Sequence, residues 1–175
     1  GVTVSGGEPL LQADFLTEFL EILRENSVNS AIDTCGYVDI DAKIKRVADL
    51  ADMFLLDVKH ADKSGHIMLT GRPPEKPRRF LEFLCEKNKR LWIRCVLING
   101  ITAEPEYAKM LGNYLKPYGD KIERIELLPY HRLGVGKWKK LGLDYKLEGV
   151  EPTSRETVEN FKKVLREFVP VKEIV

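Results

Sequence analysis

Apolar and polar positions along the chain alternate between two rhythms. A β-branched stretch, Gly1 to Ser5, runs into the turn Gly6-Gly7-Glu8-Pro9. Beyond it Phe15, Phe19 and Ile22, with Leu16, Leu20 and Leu23, recur every three or four residues, which predicts a helix with a broad apolar stripe. Ser30 to Thr34 reads as a strand, Ala42 to Ala51 as a helix and Met53 to Lys59 as a strand. A polar loop with Gly65, Gly71 and Pro73-Pro74 follows, and Phe80, Leu81, Phe83 and Leu84 mark the next helix. Leu91 to Ile98 is the clearest strand and stops at Asn99-Gly100. Glu106 to Leu115 is helical, and Lys121 to Leu128 is a fifth strand ending at Pro129. Thr153 with Glu156 forms a capping box for a last helix that buries Val158, Phe161, Leu165 and Phe168. The apolar tail, Val169 to Val175, is a candidate edge strand.

Strands alternating with helices at this pace predict βαβ units around a parallel sheet of about five strands. Such a sheet is either open and doubly wound or part of a barrel. A complete eight-unit barrel needs roughly 250 residues, more than the 175 present. No fixed-period repeat, linker or low-complexity tract divides the chain.

Side chains alternate across a strand, so each strand splits into two faces. Ile32, Leu56, Val58, Ile93, Cys95 and Ile125 take one face; Ser5, Asp33, Asp57, Lys59, Arg94 and Glu126 take the other. Sheets covered on both faces normally read as unbroken Val/Ile/Leu runs, and these strands do not. Left without partners inside a core, such polar groups would cost several kcal/mol each. The plainer explanation is a set of internal salt bridges or exposed edge strands. A ligand cavity explains more, because the polar groups cluster near strand C-terminal ends, where α/β folds place their sites.

Composition narrows the class. Twenty-eight basic against 27 acidic residues leaves +1, so no basic footprint for nucleic acid or an anionic membrane exists. No apolar run approaches the ~20 residues of a bilayer span, and no secretory leader is read, so a cytoplasmic protein is expected. Cys35, Cys85 and Cys95 are odd in number and far apart, which argues against a disulfide frame or a metal clip; Cys85 and Cys95 read as core residues. The Gly6-Gly7 turn lets backbone approach a ligand closely, and its carbonyls with the Glu8 carboxylate could hold an ammonium group. It is neither a dinucleotide fingerprint nor a phosphate loop. Asp57 and Lys59 could hold a zwitterion; as rivals they form a structural ion pair, or Lys59 is a Schiff-base lysine. His131 lies where the fifth strand hands over to a loop.

Val4-Ser-Gly-Gly-Glu-Pro9, Ile32-Asp-Thr-Cys-Gly36, Leu55-Leu-Asp-Val-Lys59, Trp92-Ile-Arg94 and Glu126-Leu-Leu-Pro-Tyr-His131 follow one another along the chain. This ordered set resembles the glycyl-radical-enzyme activating enzymes, a branch of the radical S-adenosylmethionine (SAM) family typified by pyruvate formate-lyase activating enzyme. The resemblance implies a partial (β/α)6-type open barrel. It implies a [4Fe–4S] cluster that reductively cleaves bound SAM to methionine and a 5′-deoxyadenosyl radical, which takes hydrogen from a glycine of a partner enzyme. By motif, Gly6, Gly7, Glu8 and Pro9 would cradle the methionine amino group. Asp33, Asp57, Lys59 and His131 would contact SAM, and Arg94 would line the cofactor or substrate groove; Lys59, Arg94 and His131 are the catalytic candidates. Asp33, Thr34, Asp57 and the backbone of Leu55 would form a monovalent-cation site beside the methionine carboxylate. The partners implied are a glycyl radical enzyme, pyruvate formate-lyase or a diol-, glycerol- or choline-cleaving relative, and a flavodoxin- or ferredoxin-type electron donor.

One departure is large. The family holds its cluster with a CxxxCxxC loop upstream of the glycine turn, and this sequence has no such loop. Residues 1–175 are therefore expected to be a single domain, the C-terminal portion of the barrel with its first βα unit missing, inactive alone but active in a longer parent. Two other classes remain open: a non-catalytic module that binds SAM or a partner, and a lyase using Lys59 as an imine.

Overall fold

The computed structural model describes residues 1–175, apart from the side chain of Lys139. Its frame is one parallel sheet: β1 (Val2–Val4), β2 (Ser30–Thr34), β3 (Met53–Asp57), β4 (Arg90–Leu97), β5 (Arg124–Pro129) and β6 (Glu173–Ile174). The strands lie side by side in chain order. A doubly wound sheet reverses its order at a switch point; this one never does. With right-handed crossovers throughout, sequential order places every helix on the same face, giving the wall of an open barrel. Six strands stand where about five were expected. The sixth comes from the apolar tail, where Glu173 and Ile174 pair with Arg124 and Ile125 and Val175 bonds to Ile125 and Leu127.

The helix-facing side of the sheet is dry: Ile32, Phe54, Leu91, Ile93, Leu97 and Ile125 are fully buried there. Helix α1 (Ala13–Glu25) covers it with Leu16, Leu20 and Leu23. Phe15 and Ile22, expected in that stripe, are more than half exposed, at 58% and 56%, because one helix turns only part of its circumference to the sheet. Helix α2 (Ala42–Leu50) opens on the Asp41 carboxylate, which accepts the Ile44 N–H. In the stretch read as a polar loop the chain forms α3 (Lys63–Thr70), capped by Asp62 and ended by left-handed Gly71. A Cβ on Gly65 would lie 2.2 Å from the His60 ring, so only glycine lets that ring lie against the helix. Helix α4 (Glu75–Glu86) buries Phe80, Leu81 and Leu84, and α5 (Pro105–Leu115) buries Tyr107, Ala108 and Leu111 against α7 (Arg155–Arg166).

The cap of α7 differs from the sequence reading by one residue. Ser154 Oγ accepts the Thr157 N–H, while Thr153 donates its hydroxyl to the Leu97 carbonyl at 2.6 Å and ties the helix to β4. Between β5 and α7 the chain crosses the mouth of the open barrel, with a single short helix, α6 (Val135–Lys140).

Candidate functional site

The strand register builds the concave face in rows. Asp33, Leu55, Trp92 and Arg124 stand side by side; Asp57, Arg94 and Glu126 form the next row toward the strand C-terminal ends. Arg94 Nη1 donates to Asp33 Oδ2 at 2.8 Å. Its Nε lies 3.5 Å from Glu126, near enough for an ion pair but not aligned for a hydrogen bond, so that buried N–H has no hydrogen-bond partner. Lys59 and Asp57 pair at 2.5 Å. Asp33, Asp57, Lys59 and Arg94, drawn from three strand ends, are thus brought together. The salt-bridge explanation holds in part, since these charges neutralise one another. It does not account for the space beside them.

That space is a cavity of about 570 Å³, within the range of small-molecule sites. Its charged lining residues are Asp57, Lys59 and Arg94 from the strand ends and Lys146 from the segment after β5; the remainder is mainly apolar, with Val96, Ile98, Met68, Trp138 and Leu147. The segment after β5 forms its outer wall. Trp138 meets Tyr145 edge to face at 5.6 Å, and the Tyr145 and Tyr130 hydroxyls are 2.7 Å apart. Sequence reasoning missed this wall, because Met68, Trp138 and Tyr145 stand in stretches without period. A large apolar side chain in a polar loop at the strand C-terminal end was the one available signal.

The Gly6-Gly7 turn lies at the β1 edge, outside the cavity lining, and Asp33 connects the two. The Ser5 hydroxyl donates to Asp33 Oδ2 at 3.3 Å, on the oxygen that also receives Arg94. A Cβ built on Gly6 or Gly7 would meet nothing within 4 Å, so the turn's backbone faces open space. Pro9 is buried and starts a short 3-10 turn, Pro9–Gln12. The Glu8 carboxylate turns inward: it accepts from Leu10 N–H (3.2 Å), the Thr34 hydroxyl (2.6 Å), Cys35 N–H (2.9 Å) and the Cys35 thiol (3.0 Å).

The four residues of the cation set have different surroundings. Asp33 and Asp57 are held by Arg94 and Lys59, and Leu55 is half-buried between Asp33 and Trp92. The Thr34 side chain is buried on the opposite, helix-facing side of β2. His131 is exposed and does not line the cavity; its Nδ1 accepts the Leu133 N–H at 3.4 Å.

A cavity with strand-end charges and a mainly apolar wall, connected through Asp33 to an open glycine turn, fits an amphiphile such as SAM. An iron–sulfur cluster does not fit these residues. Cys95, on β4, and Cys85, on α4, sit in the core; burial pushes the Cys85 thiol up to about 11 and the Cys95 thiol higher still. Burial first, and the Glu8 carboxylate second, push Cys35 to about 11. Clusters require thiolates that converge. Among the described residues no three His, Cys, Asp or Glu side chains gather as a metal site.

Residues 1–111 match the model of the radical SAM superfamily. The pyruvate formate-lyase-activating enzyme of Staphylococcus epidermidis is 44% identical over 163 residues, 90% of this chain and 64% of that protein. The pyruvate formate-lyase 1-activating enzyme of Escherichia coli K12 is 36% identical over 169 residues, 96% of this chain and 68% of that protein. The chain thus spans about two thirds of the length of these relatives. Among solved structures, a domain of a pyruvate formate-lyase-activating enzyme from Bacteroides vulgatus superposes with a TM-score of 0.80 at 25% identity, covering 100% of this chain and 98% of that one. Streptococcus suis SuiB bound to S-adenosylmethionine shares the fold alone, with a TM-score of 0.70 at 16% identity over 99% of this chain and 37% of that one. With the motif order, the one-sided polar sheet and these relatives in agreement, the chain belongs to the radical SAM superfamily, in the family of the pyruvate formate-lyase-activating enzymes.

Proposed function

We propose that these residues hold SAM and face the substrate in an activase of a glycyl radical enzyme, pyruvate formate-lyase being the partner the relatives' names point to. When bound, SAM supplies the 5′-deoxyadenosyl group that, as a carbon radical, takes hydrogen from a glycine of that partner. A flavodoxin- or ferredoxin-type reductant is the second protein partner in this reading. Cluster thiolates would have to come from residues other than these 175.

The observation that carries the reading is the convergence of Asp33, Asp57, Lys59 and Arg94 beside one cavity whose wall is otherwise mainly apolar. The Gly6 and Gly7 carbonyls and Asp33 would receive the ammonium, and Lys59 the carboxylate of the methionine moiety. The apolar wall, with Trp138 and Tyr145, would exclude water around the reacting carbon and the incoming glycine. A Schiff-base role for Lys59 is less favoured. Its ammonium rests on the Asp57 carboxylate in a half-exposed site, whereas an imine-forming lysine is desolvated or set beside another cation.

Amide NMR on the 175-residue chain tests the reading. SAM should shift Gly6, Gly7, Asp33, Lys59 and Arg94 and leave the far end of the sheet unmoved; a glycine-bearing peptide of the partner should then shift Met68, Trp138 and Tyr145. No shift at these positions, or shifts scattered over the surface, overturns it. Binding of SAM without any response to the peptide supports the non-catalytic module instead.

A further inference from the structure

An ionised carboxylate accepts hydrogen bonds only, at about four lone-pair positions. On Glu8 all four are taken by the chain itself: Leu10 N–H and the Thr34 hydroxyl on Oε1, Cys35 N–H and its thiol on Oε2. None of these donors faces the cavity. Because its proton goes to Glu8, Thr34 Oγ is free to accept the Gly36 N–H, which it does at 2.9 Å. The side chain thus ties residue 8 to the end of β2, 26 positions further along.

The turn before it needs such a tie. Gly6 has φ +144 with nothing packed beside it, and Gly7 is equally open. On one side the turn is held by the 3.3 Å contact from Ser5 to Asp33; on the other it is held by Glu8 and the buried ring of Pro9. We infer that Glu8, acting with Thr34, is a positioning residue: it fixes the Gly6 and Gly7 carbonyls relative to Asp33 and does not itself touch the ammonium of a bound ligand. The inference rests on the SAM reading only for what the turn holds. It reassigns two residues, since the Glu8 carboxylate leaves the amino-group cradle and the Thr34 hydroxyl leaves the cation set.

Two measurements on the 175-residue chain decide it. In the first, ¹⁵N relaxation of the Gly6 and Gly7 amides is compared in the parent, Glu8→Gln, Thr34→Val and Thr34→Ser. A Gln at position 8 turns an N–H₂ toward donors, and Val lacks the hydroxyl, whereas Ser keeps it. Order parameters of about 0.85 in the parent and Thr34→Ser should fall below about 0.6 in the other two, with unchanged far-UV circular dichroism. A turn already mobile in the parent, or unmoved in Glu8→Gln, overturns the inference. Should Glu8→Gln fail to fold, the Val and Ser pair at position 34 carries the same comparison.

In the second, calorimetry compares SAM with 5′-methylthioadenosine, which lacks the amino and carboxyl groups. Glu8→Gln and Thr34→Val should each weaken SAM at least tenfold and leave the shorter ligand within twofold. Equal loss of both ligands overturns the inference, as does a loss in Glu8→Gln that Thr34→Val does not share. Failure of the parent to bind SAM counts against the proposed function alone; the relaxation data still decide the tie.

Discussion

The concave face carries two charge networks, one at each end of the strands, made from the same residue types. At the N-terminal end Glu123 receives Arg90 at 2.9 Å and the Trp92 indole N–H at 3.2 Å. Arg124 stacks over Trp92 at 4.1 Å, bonds Glu173 on β6 and reaches Glu126 at 3.7 Å, a link between the two networks. Every member there is satisfied by a neighbour, and none of them lines the 570 Å³ cavity. At the C-terminal end the pairs Asp33–Arg94 and Asp57–Lys59 are as short, yet Arg94 Nε lacks a hydrogen bond and three of the four residues line the 570 Å³ cavity. Ion pairs alone therefore do not separate scaffold from site. What separates them is an unfilled donor and adjoining space.

Substitutions in the two networks test that distinction. The largest effect is expected from Arg94→Met, which removes the cation shared by Asp33 and Glu126 and leaves Glu126 only its 3.7 Å contact with Arg124. Urea unfolding should show a loss of about 2 kcal/mol, reduced from the cost of a fully buried pair by partial solvent access, and SAM affinity should fall below detection in calorimetry. Lys59→Met should change stability by less than about 1 kcal/mol, because the Lys59 ammonium is half-exposed to water. It should still weaken SAM about tenfold, since a charge-assisted contact is lost. At the other end Arg124→Met should cost about 1 kcal/mol through Glu173 and the Trp92 stack and leave SAM affinity unchanged. Lost SAM binding in that variant would erase the difference between the networks.

A smaller effect concerns the thiols. Cys35 and Cys85 are raised from about 9 to about 11 in the fold, chiefly by burial. Below the unfolded value both states hold the proton; between pH 9 and 11 only the folded thiols keep it. Stability should therefore fall as pH rises through that window, seen as a declining urea midpoint. Alkylation of the folded chain by iodoacetamide at pH 8 should be slow for the same reason.

The split of each strand into a dry and a polar face was legible because parallel strands buried on one side only break the apolar run. Asp33, Asp57, Lys59 and Arg94 follow from it. Helix α3 was not legible: around Gly65 the apolar residues are too sparse for a period, and Asp62 and Gly71 at its ends define it only once the backbone is folded. The α7 cap was misplaced by one residue, since Thr153 and Ser154 are equivalent by type and only the Leu97 carbonyl decides between them. The inward turn of Glu8 was hidden as well. Its donors, Thr34 and Cys35, are remote in the chain, and a carboxylate after two glycines looks the same whether it faces a ligand or a neighbouring strand.

The sequential strand order has a consequence for biosynthesis. Each strand's partner in the sheet is also its predecessor in the chain, so every pairing closes one crossover between consecutive strands, the longest running from Pro129 to Glu173. As the polypeptide leaves the ribosome, each new βα unit meets an edge that is already formed, and no strand waits for one synthesised much later.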